Sequence, residues 1–230
     1  PIKELPPVRS RIAKQQKDGS WRFPGRRVDG HTHYEYLETY RVLGELVELY
    51  AMDATHPAVS RAAEFLFSLQ TDEGDFRGIY GKEYSPNYTA GILELMMHAG
   101  LGKDDRVERG LRWLLSCRQT DGGWAAPLRT IGWKFHDPLP GGSEPVPPDT
   151  TKPSSHMVTG VVLRALAASD YYRRREETVC AAKLLASRLL LPDHYPDRKG
   201  VEYWTKFSFP FWFTDLVSAL DSLSLIGIPA

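Results

Sequence analysis

The sequence predicts an all-α fold of about four helical hairpins, each pairing an outer helix with a more buried inner helix. Two observations support this prediction. A pattern of basic, small, aromatic, aliphatic and glycine residues occurs twice, and every position of the second copy lies 48 residues after the first. Between and beyond these copies, several segments place aliphatic residues at helical spacing after a threonine. Self-similarity at such a period is typical of helical repeat proteins.

The repeated pattern has two full copies and one weaker copy. The full copies are Arg61, Ala62, Phe65, Leu66, Gln70, Gly74 and Phe76, and then Arg109, Gly110, Trp113, Leu114, Arg118, Gly122 and Trp124. The weaker copy lies earlier in the chain and consists of Gln15, Gly19 and Trp21. We therefore expect three similar turns along the chain.

Each full copy begins as an amphipathic outer helix. Apolar residues recur at helical spacing over residues 57–70 and again over residues 104–117. Both helices then stop at a turn that contains a glycine, Gly74 or Gly122. We expect the aromatic residue two positions after each glycine to pack back on the helix just completed.

The inner helices are predicted from a threonine followed by aliphatic residues three, four and seven positions later. This pattern begins at Thr39, Thr89 and Thr159, and residues 211–226 form a fourth segment that is equally apolar but fits the offsets poorly. A helix that is hydrophobic nearly all round must be enclosed. The residues expected to be buried are Val42, Leu43, Ile92, Leu93, Val162 and Leu163.

The full copies resemble the repeats of the terpenoid cyclase and protein prenyltransferase superfamily, in particular those of squalene-hopene cyclases. In the cyclase branch the repeat has Gln at the position of Gln70 and Trp at the position of Trp124. The first copy departs from it at Phe76 and the second at Arg118, although Gln119 is adjacent. The resemblance covers roughly residues 11–227 and implies an α/α toroid, in which outer and inner helices alternate around a central cavity.

The number of hairpins indicates an open arc rather than a closed ring. Members of this superfamily close the toroid with more hairpins than the four predicted here. Because terminal hairpins of an open arc have an apolar flank, we expect a homo-oligomer, a missing N-terminal segment, or terminal hairpins with polar outer faces. The chain also lacks an initiator Met, which predicts a piece of a longer protein.

Composition excludes several classes of function. The 29 basic and 29 acidic residues balance, so we expect no nucleic-acid partner. No apolar run approaches the roughly 20 residues of a transmembrane helix, and the N-terminus lacks the apolar core of a signal peptide. Two lone cysteines, Cys117 and Cys180, favour a reducing compartment, and we expect a cytoplasmic protein. The length fits a single domain over residues 1–230.

One linker is much longer than the others. The chain uses 35 residues between Trp124 and Thr159, against 13 between Phe76 and Thr89, and the extra length is a Pro-rich loop at about residues 134–153. Long loops in compact domains are commonly functional or disordered. We expect this loop either to lie over the mouth of the cavity or to be a surface excursion.

The resemblance also directs attention to the starts of the inner helices. Class II terpene cyclases protonate an alkene with the middle Asp of an Asp-x-Asp-Asp-Thr motif there. The residues that precede the three aligned threonines include no such acid. Glu35 and Glu38 come nearest, and we interpret them either as a carboxylate pair or as a solvated helix start.

Two other residues are candidate catalytic groups because of their positions. His156 begins a predicted inner helix, where an imidazole can act as a general base or cap the preceding loop. Asp215 lies in the very apolar segment 209–216, where a carboxylate either has a raised pKa or has a partner.

A metal site is not predicted. The prenyltransferases of the superfamily bind zinc through Asp, Cys and His, but Cys117 and Cys180 do not fall at the starts of inner helices. His31 and His33 are spaced so that they can chelate a metal with a third ligand, yet a polar turn before a helix explains them better. We therefore expect neither a metal nor a cofactor.

Aromatic residues near the starts of the inner helices indicate the class of ligand. Apolar cavities bind apolar ligands, and aromatic rings can also hold a carbocation or an ammonium ion. We predict that a central cavity binds an apolar, isoprenoid-like small molecule, and the sequence leaves open whether a reaction follows. The candidate ligand-binding residues are Tyr36, Tyr40, Tyr84, Tyr88, Trp212 and Phe213.

Two alternatives stay open at this point. The chain is then either a non-catalytic scaffold, whose cavity is filled by its own side chains or by a partner, or a glycan-processing α/α toroid enzyme. The second alternative would use Glu35, Glu38 or Asp215 as the two carboxyl groups that glycoside hydrolysis needs.

Overall fold

Helices make up the fold in the computed structural model, which describes residues 4–27, 33–78, 81, 83–134, 145–195, 200–210 and 213–229. Over these residues the only β-type pairing is an isolated bridge between Gln70 and Phe76. The described part of the chain contains nine α-helices: α1 (Pro6–Ala13), α2 (Tyr34–Gly44), α3 (Pro57–Phe67), α4 (Pro86–Met96), α5 (Asp105–Ser116), α6 (Pro127–Thr130), α7 (His156–Ala167), α8 (Glu176–Ser187) and α9 (Leu216–Ile226). The predicted all-α fold class is confirmed.

Short non-α turns extend or precede several of these helices. The π-helical turns Glu45–Leu49 and Met97–Leu101 continue α2 and α4. Two 3₁₀ turns, Tyr172–Arg174 and Val201–Thr205, lie ahead of α8 and α9.

The main helices form four hairpins. The outer helices α1, α3, α5 and α8 are followed by the inner helices α2, α4, α7 and α9, with the single turn α6 inside the third hairpin. Neighbouring inner helices pack side by side, α2 on α4, α4 on α7 and α7 on α9. The six aliphatic residues predicted to be buried on these helices are at most 1% exposed. The burial predicted for the inner helices is therefore confirmed for α2, α4 and α7.

Three turns are built in the same way, as the repeats predicted. Gly19, Gly74 and Gly122 have φ of +93°, +106° and +97°, a conformation that favours glycine. The aromatic residue two positions after each glycine is buried. Its backbone N–H donates at 2.9 Å to the hydroxyl of a threonine on the following inner helix, in the pairs Trp21 and Thr39, Phe76 and Thr89, and Trp124 and Thr159.

A glutamine joins each of the first two turns to the next outer helix. The side-chain amide of Gln70 donates to the carbonyl of Gly74 at 2.8 Å and to that of Arg106 on α5 at 2.9 Å. Its oxygen accepts a hydrogen bond from Arg109 at 3.0 Å. The same three bonds join Gln15 to Gly19, Ala58 and Arg61. The basic residue of each full copy therefore binds the glutamine of the preceding copy.

The third turn is joined to the long linker instead. Gln119 donates from its side-chain amide to the carbonyls of Asp149 at 2.8 Å and Lys152 at 3.0 Å. The backbone N–H of Thr120 donates to the carbonyl of Thr150 at 2.9 Å. The end of the linker thus takes the place that the next outer helix has in the first two copies, while residues 135–144 lie outside the described residues.

Candidate functional site

A cavity of about 340 Å³ lies between the inner helices α2, α4 and α9. We call it the central cavity. Its volume falls in the range of small-molecule sites, roughly 300–1,000 Å³. Its wall consists of Tyr40, Arg41, Gly44, Glu48, Gly91, Glu94, Leu95, His98, Phe209, Pro210, Val217 and Asp221.

Two glycines in the wall of the central cavity have different roles. A Cβ atom on Gly44 would have no other atom within 4 Å, so the surface of α2 is open to the cavity at this point. Gly91 on α4 has a different role, because the hydroxyl of Tyr40 occupies the place where its Cβ would stand. Gly44 thus leaves open space in the cavity, and Gly91 leaves space for the hydroxyl of Tyr40.

An ion pair between two inner helices lies beside the cavity. The Nε of Arg164 on α7 donates to both carboxylate oxygens of Glu94 on α4, at 3.1 and 3.0 Å. The side chain of Arg164 is only 4% exposed. Burial raises the pKa of Glu94, and the charge of Arg164 opposes that shift. The pair therefore fixes α4 against α7 without an uncompensated charge.

A second pair joins the π-helical turns that follow α2 and α4. The Nδ1 of His98 lies 2.7 Å from Oε1 of Glu48. This hydrogen bond to Glu48 raises the pKa of His98, because the carboxylate stabilises the imidazolium. With Nδ1 engaged, Nε2 is the ring nitrogen that remains for other contacts.

The remaining charges of the wall are Arg41 and Asp221. Arg41 donates to Glu38 at 3.0 and 2.6 Å and also to Glu45. Asp221 on α9 is exposed and makes no hydrogen bond or ion pair with any residue that the structure describes.

The predicted acidic pair Glu35 and Glu38 is held by arginines. Glu35 forms an ion pair with Arg27, and Glu38 binds Arg41 on its own helix. Glu38 is buried next to the central cavity but is not part of its wall.

His156 lies at a different place. Its buried ring stacks on Trp204 with centroids 4.6 Å apart, and its Nδ1 lies 3.5 Å from Oδ2 of Asp193. Burial lowers the pKa of this imidazole. The ring faces a separate cavity of about 30 Å³, next to Arg188 and His194.

Asp215 is the N-cap of α9. Its Oδ1 accepts from the backbone N–H of Ser218 at 2.8 Å, and its Oδ2 accepts from that of Ser208 at 3.1 Å. The carboxylate thus has the partners that its apolar surroundings require. The structure does not bring Asp215, His156 and Glu38 to one space, because they belong to a helix cap, a separate cavity and an ion pair; their catalytic roles stay predictions.

The predicted aromatic residues are spread over several places. Tyr40 is part of the wall of the central cavity. Tyr36 and Tyr88 contact each other at the starts of α2 and α4, with centroids 5.8 Å apart. Burial raises the pKa of Tyr36 well above its usual range.

The other three lie away from the central cavity or outside the described residues. Tyr84 donates its hydroxyl to Glu73 at 2.8 Å and packs under the guanidinium of Arg77. Phe213 packs edge-on against Tyr203. Trp212 lies outside the described residues.

Sequence reasoning missed the charged residues of the central cavity. For Glu94 and Arg164 the signal is a fixed position, five residues after the threonine of α4 and α7, and Gly44 has the same position on α2. A charge in a helix that is otherwise apolar nearly all round must have a partner or face a cavity. The spacing of the apolar residues alone does not indicate these charged residues.

Comparison with known families supports the resemblance of the repeats. Residues 36–131 match the family model of the squalene-hopene cyclase C-terminal domain. A comparison with curated proteins finds no match. Within the described residues, no helix is both long enough and apolar enough to cross a membrane.

A solved structure with a similar fold is ent-copalyl diphosphate synthase from Streptomyces platensis, with a TM-score of 0.51 and 15% sequence identity. The similarity covers 96% of this chain and 37% of the synthase chain, so this chain spans little more than a third of that protein's length. At this identity the likeness concerns the fold. Together the two matches confirm the predicted resemblance to the terpenoid cyclase superfamily.

Proposed function

We propose that this chain, which carries a squalene-hopene cyclase-like domain over residues 36–131, binds an apolar, isoprenoid-like ligand in the central cavity. The observation that supports the proposal is the open volume of about 340 Å³ between α2, α4 and α9. A scaffold whose centre is filled by its own side chains would leave no such space, so the cavity favours ligand binding over that form of the scaffold alternative.

The composition of the wall supports an apolar ligand with a polar end. Tyr40, Leu95, Phe209, Pro210 and Val217 offer apolar surface. Burying such surface against a hydrocarbon chain gains about 25 cal/mol per Å². The pairs Glu94 with Arg164 and Glu48 with His98 already satisfy much of the polar surface.

Binding is the core of the proposal, and turnover is a separate question. The inner helices start without the acid motif that initiates cyclisation in class II cyclases. No contact of Glu35, Glu38 or Asp215 favours glycan processing, because two of these carboxylates bind arginines and the third caps a helix. Cys117 and Cys180 form no disulfide in the described residues, and the cytoplasmic location expected from the sequence stays a proposal.

The experiment that tests the proposal introduces a larger side chain at Gly44, where it fills part of the cavity. A Gly44→Leu variant places a side chain in the open space and improves helix propensity by about 1 kcal/mol. We expect it to bind geranylgeraniol at least tenfold more weakly than the wild type, as measured by calorimetry, while the melting temperature stays equal or rises. Gly44→Ala is the matched control and should keep most of the affinity.

Two results would count against the proposal: wild-type protein that does not bind geranylgeraniol, or equal binding by wild type and Gly44→Leu. Mass spectrometry after incubation with isoprenoid diphosphates and squalene-like hydrocarbons then separates binding from turnover. A product formed by the wild type and lost in Gly44→Leu would add catalysis to the assignment.

A further inference from the structure

The cations at the central cavity are engaged by carboxylates of the protein itself. Arg41 binds both Glu38 and Glu45, and Glu45 is also bound by Arg11 at 2.7 Å. Arg164 donates to both oxygens of Glu94. An anionic ligand would have to compete with these carboxylates for each guanidinium.

The carboxylates of the wall are less completely balanced. Glu48 has His98 as its partner, and this partner carries a charge only when it is protonated. Asp221 has no ion pair or hydrogen bond within the described part of the chain. The charge left over in the wall is therefore negative.

Aromatic surface lies in the same wall as these carboxylates. Tyr40 comes from α2, and Phe209 precedes α9, the helix that presents Asp221. The face of an aromatic ring attracts a cation, and desolvation strengthens the attraction. The wall thus combines two features that favour a positively charged group.

From these features we infer that the ligand of the central cavity has a cationic head group, such as a protonated amine, at one end of its apolar chain. This inference rests on the proposed function and names the ligand class for the same cavity. Asp221 and Glu48 would face the ammonium group, while the chain packs on Leu95 and Val217. An isoprenoid diphosphate, in contrast, would bring its negative charges to a wall of negative charge.

The test compares three ligands that share one hydrocarbon chain: geranylgeranylamine, geranylgeraniol and geranylgeranyl diphosphate. Dissociation constants are measured by calorimetry near neutral pH, below the concentration at which the amine forms micelles. We expect the amine to bind about tenfold more tightly than the alcohol and the diphosphate to bind most weakly. Added salt should reduce the advantage of the amine, because the ion pair lies at a partly exposed position.

Substitutions test whether the preference for the amine over the alcohol arises in the central cavity. Asp221→Asn should reduce the advantage of the amine over the alcohol to threefold or less. Asp72→Asn, a substitution at an exposed aspartate in the turn after α3, is the matched control and should change neither affinity. Gly44→Leu should weaken the binding of the amine and the alcohol together.

The outcomes separate the inference from the proposed function. Equal affinity for amine and alcohol, tighter binding of the diphosphate, or an unchanged preference in Asp221→Asn would overturn the cationic head group and leave the apolar ligand standing. No binding of any of the three ligands to the wild type would overturn both.

Discussion

The threonine near the start of α2, α4 and α7 has a structural role that its position in the sequence does not reveal. Thr89 and Thr159 accept the N–H of the aromatic residue in the preceding turn and also donate back to its carbonyl, at 3.2 and 3.3 Å. Because a buried backbone N–H requires an acceptor, the threonine satisfies a group that the turn would otherwise leave unpaired. The alignment of the threonines thus reflects the structure of the turn.

The buried indole of Trp124 leads to a prediction about stability. Its ring is 0% exposed, and its Nε1 donates to the carbonyl of Leu114 at 2.6 Å. Trp124→Ala should lower the free energy of unfolding by roughly 3–5 kcal/mol, because it leaves a large cavity. Trp124→Phe, which copies the residue at Phe76, should cost much less, since Phe fills most of the space. Urea titration measures both, and an unchanged midpoint for the alanine variant would contradict the role we give to the ring.

For individual residues, the sequence predicted those of the turns but not the charged residues at the central cavity. Gly74 and Trp124 have local signatures, because a reversal of the chain limits which residues fit. Glu94 and Arg164 are 70 positions apart and meet only through the packing of α4 on α7. Nothing near either residue in the sequence indicates its partner.

The three turns are alike as elements but differ in how closely the next outer helix approaches them. A Cβ atom on Gly74 would stand 2.7 Å from the carbonyl oxygen of Arg109 on α5. At Gly122 the nearest atom would be Nη2 of Arg118, 3.9 Å away. Gly74 is therefore required for its conformation and for close packing, and Gly122 for its conformation alone.

A pair of alanine substitutions separates these two requirements. Both variants place a side chain at a positive φ, which costs roughly 1–2 kcal/mol. Gly74→Ala should be destabilising by at least about 1 kcal/mol more than Gly122→Ala, because it also overpacks the contact with α5. Thermal unfolding of the two variants tests this order, and equal losses would mean that α5 can move away without cost.

The helical hairpins were predictable because apolar spacing and glycine turns repeat in register. The π-helical turns Glu45–Leu49 and Met97–Leu101 were not, since their hydrogen-bond pattern has no separate apolar period. These turns carry Glu48 and His98, so part of the cavity wall lies where sequence periodicity is least informative.

Across the whole molecule, the pair of Glu48 and His98 makes stability depend on pH. The pKa of His98 is raised in the folded protein relative to the unfolded chain. Its contribution is therefore fully present below the unfolded pKa of about 6.5 and is lost as the pH rises through the folded value. Because the pair is partly exposed, we expect a contribution below about 1 kcal/mol.

The measurement compares the wild type with His98→Gln in urea at about pH 6 and about pH 9. The stability difference between them should be larger at the lower pH. Glu48→Gln removes the partner of the imidazole and should reduce the same pH dependence. A difference that does not change with pH would show that the pair contributes nothing through ionisation.

The open arc was predicted from the count of hairpins and stays a prediction. In the described structure α2 and α9 are the terminal inner helices, and both line the central cavity. The face of α9 leaves Val217 and Leu225 about half exposed. A homo-oligomer or a further segment that covers this face stays a prediction. Which of them applies depends on surfaces that a repeat pattern does not encode.

The different connection of the third turn has a consequence for cooperativity. In a repeat protein, each unit is stabilised by its interfaces with the neighbouring units. The glutamine bonds couple the first three outer helices directly, whereas the glutamine of the third turn binds the linker. In the described residues α8 packs on α7 and α9, and the turn ahead of it is joined to α5 by one hydrogen bond, from Tyr172 to Glu108. The fourth hairpin should therefore open as a separate unit, and native-state hydrogen exchange should release the amides of α8 at a lower free energy than those of α3 and α5.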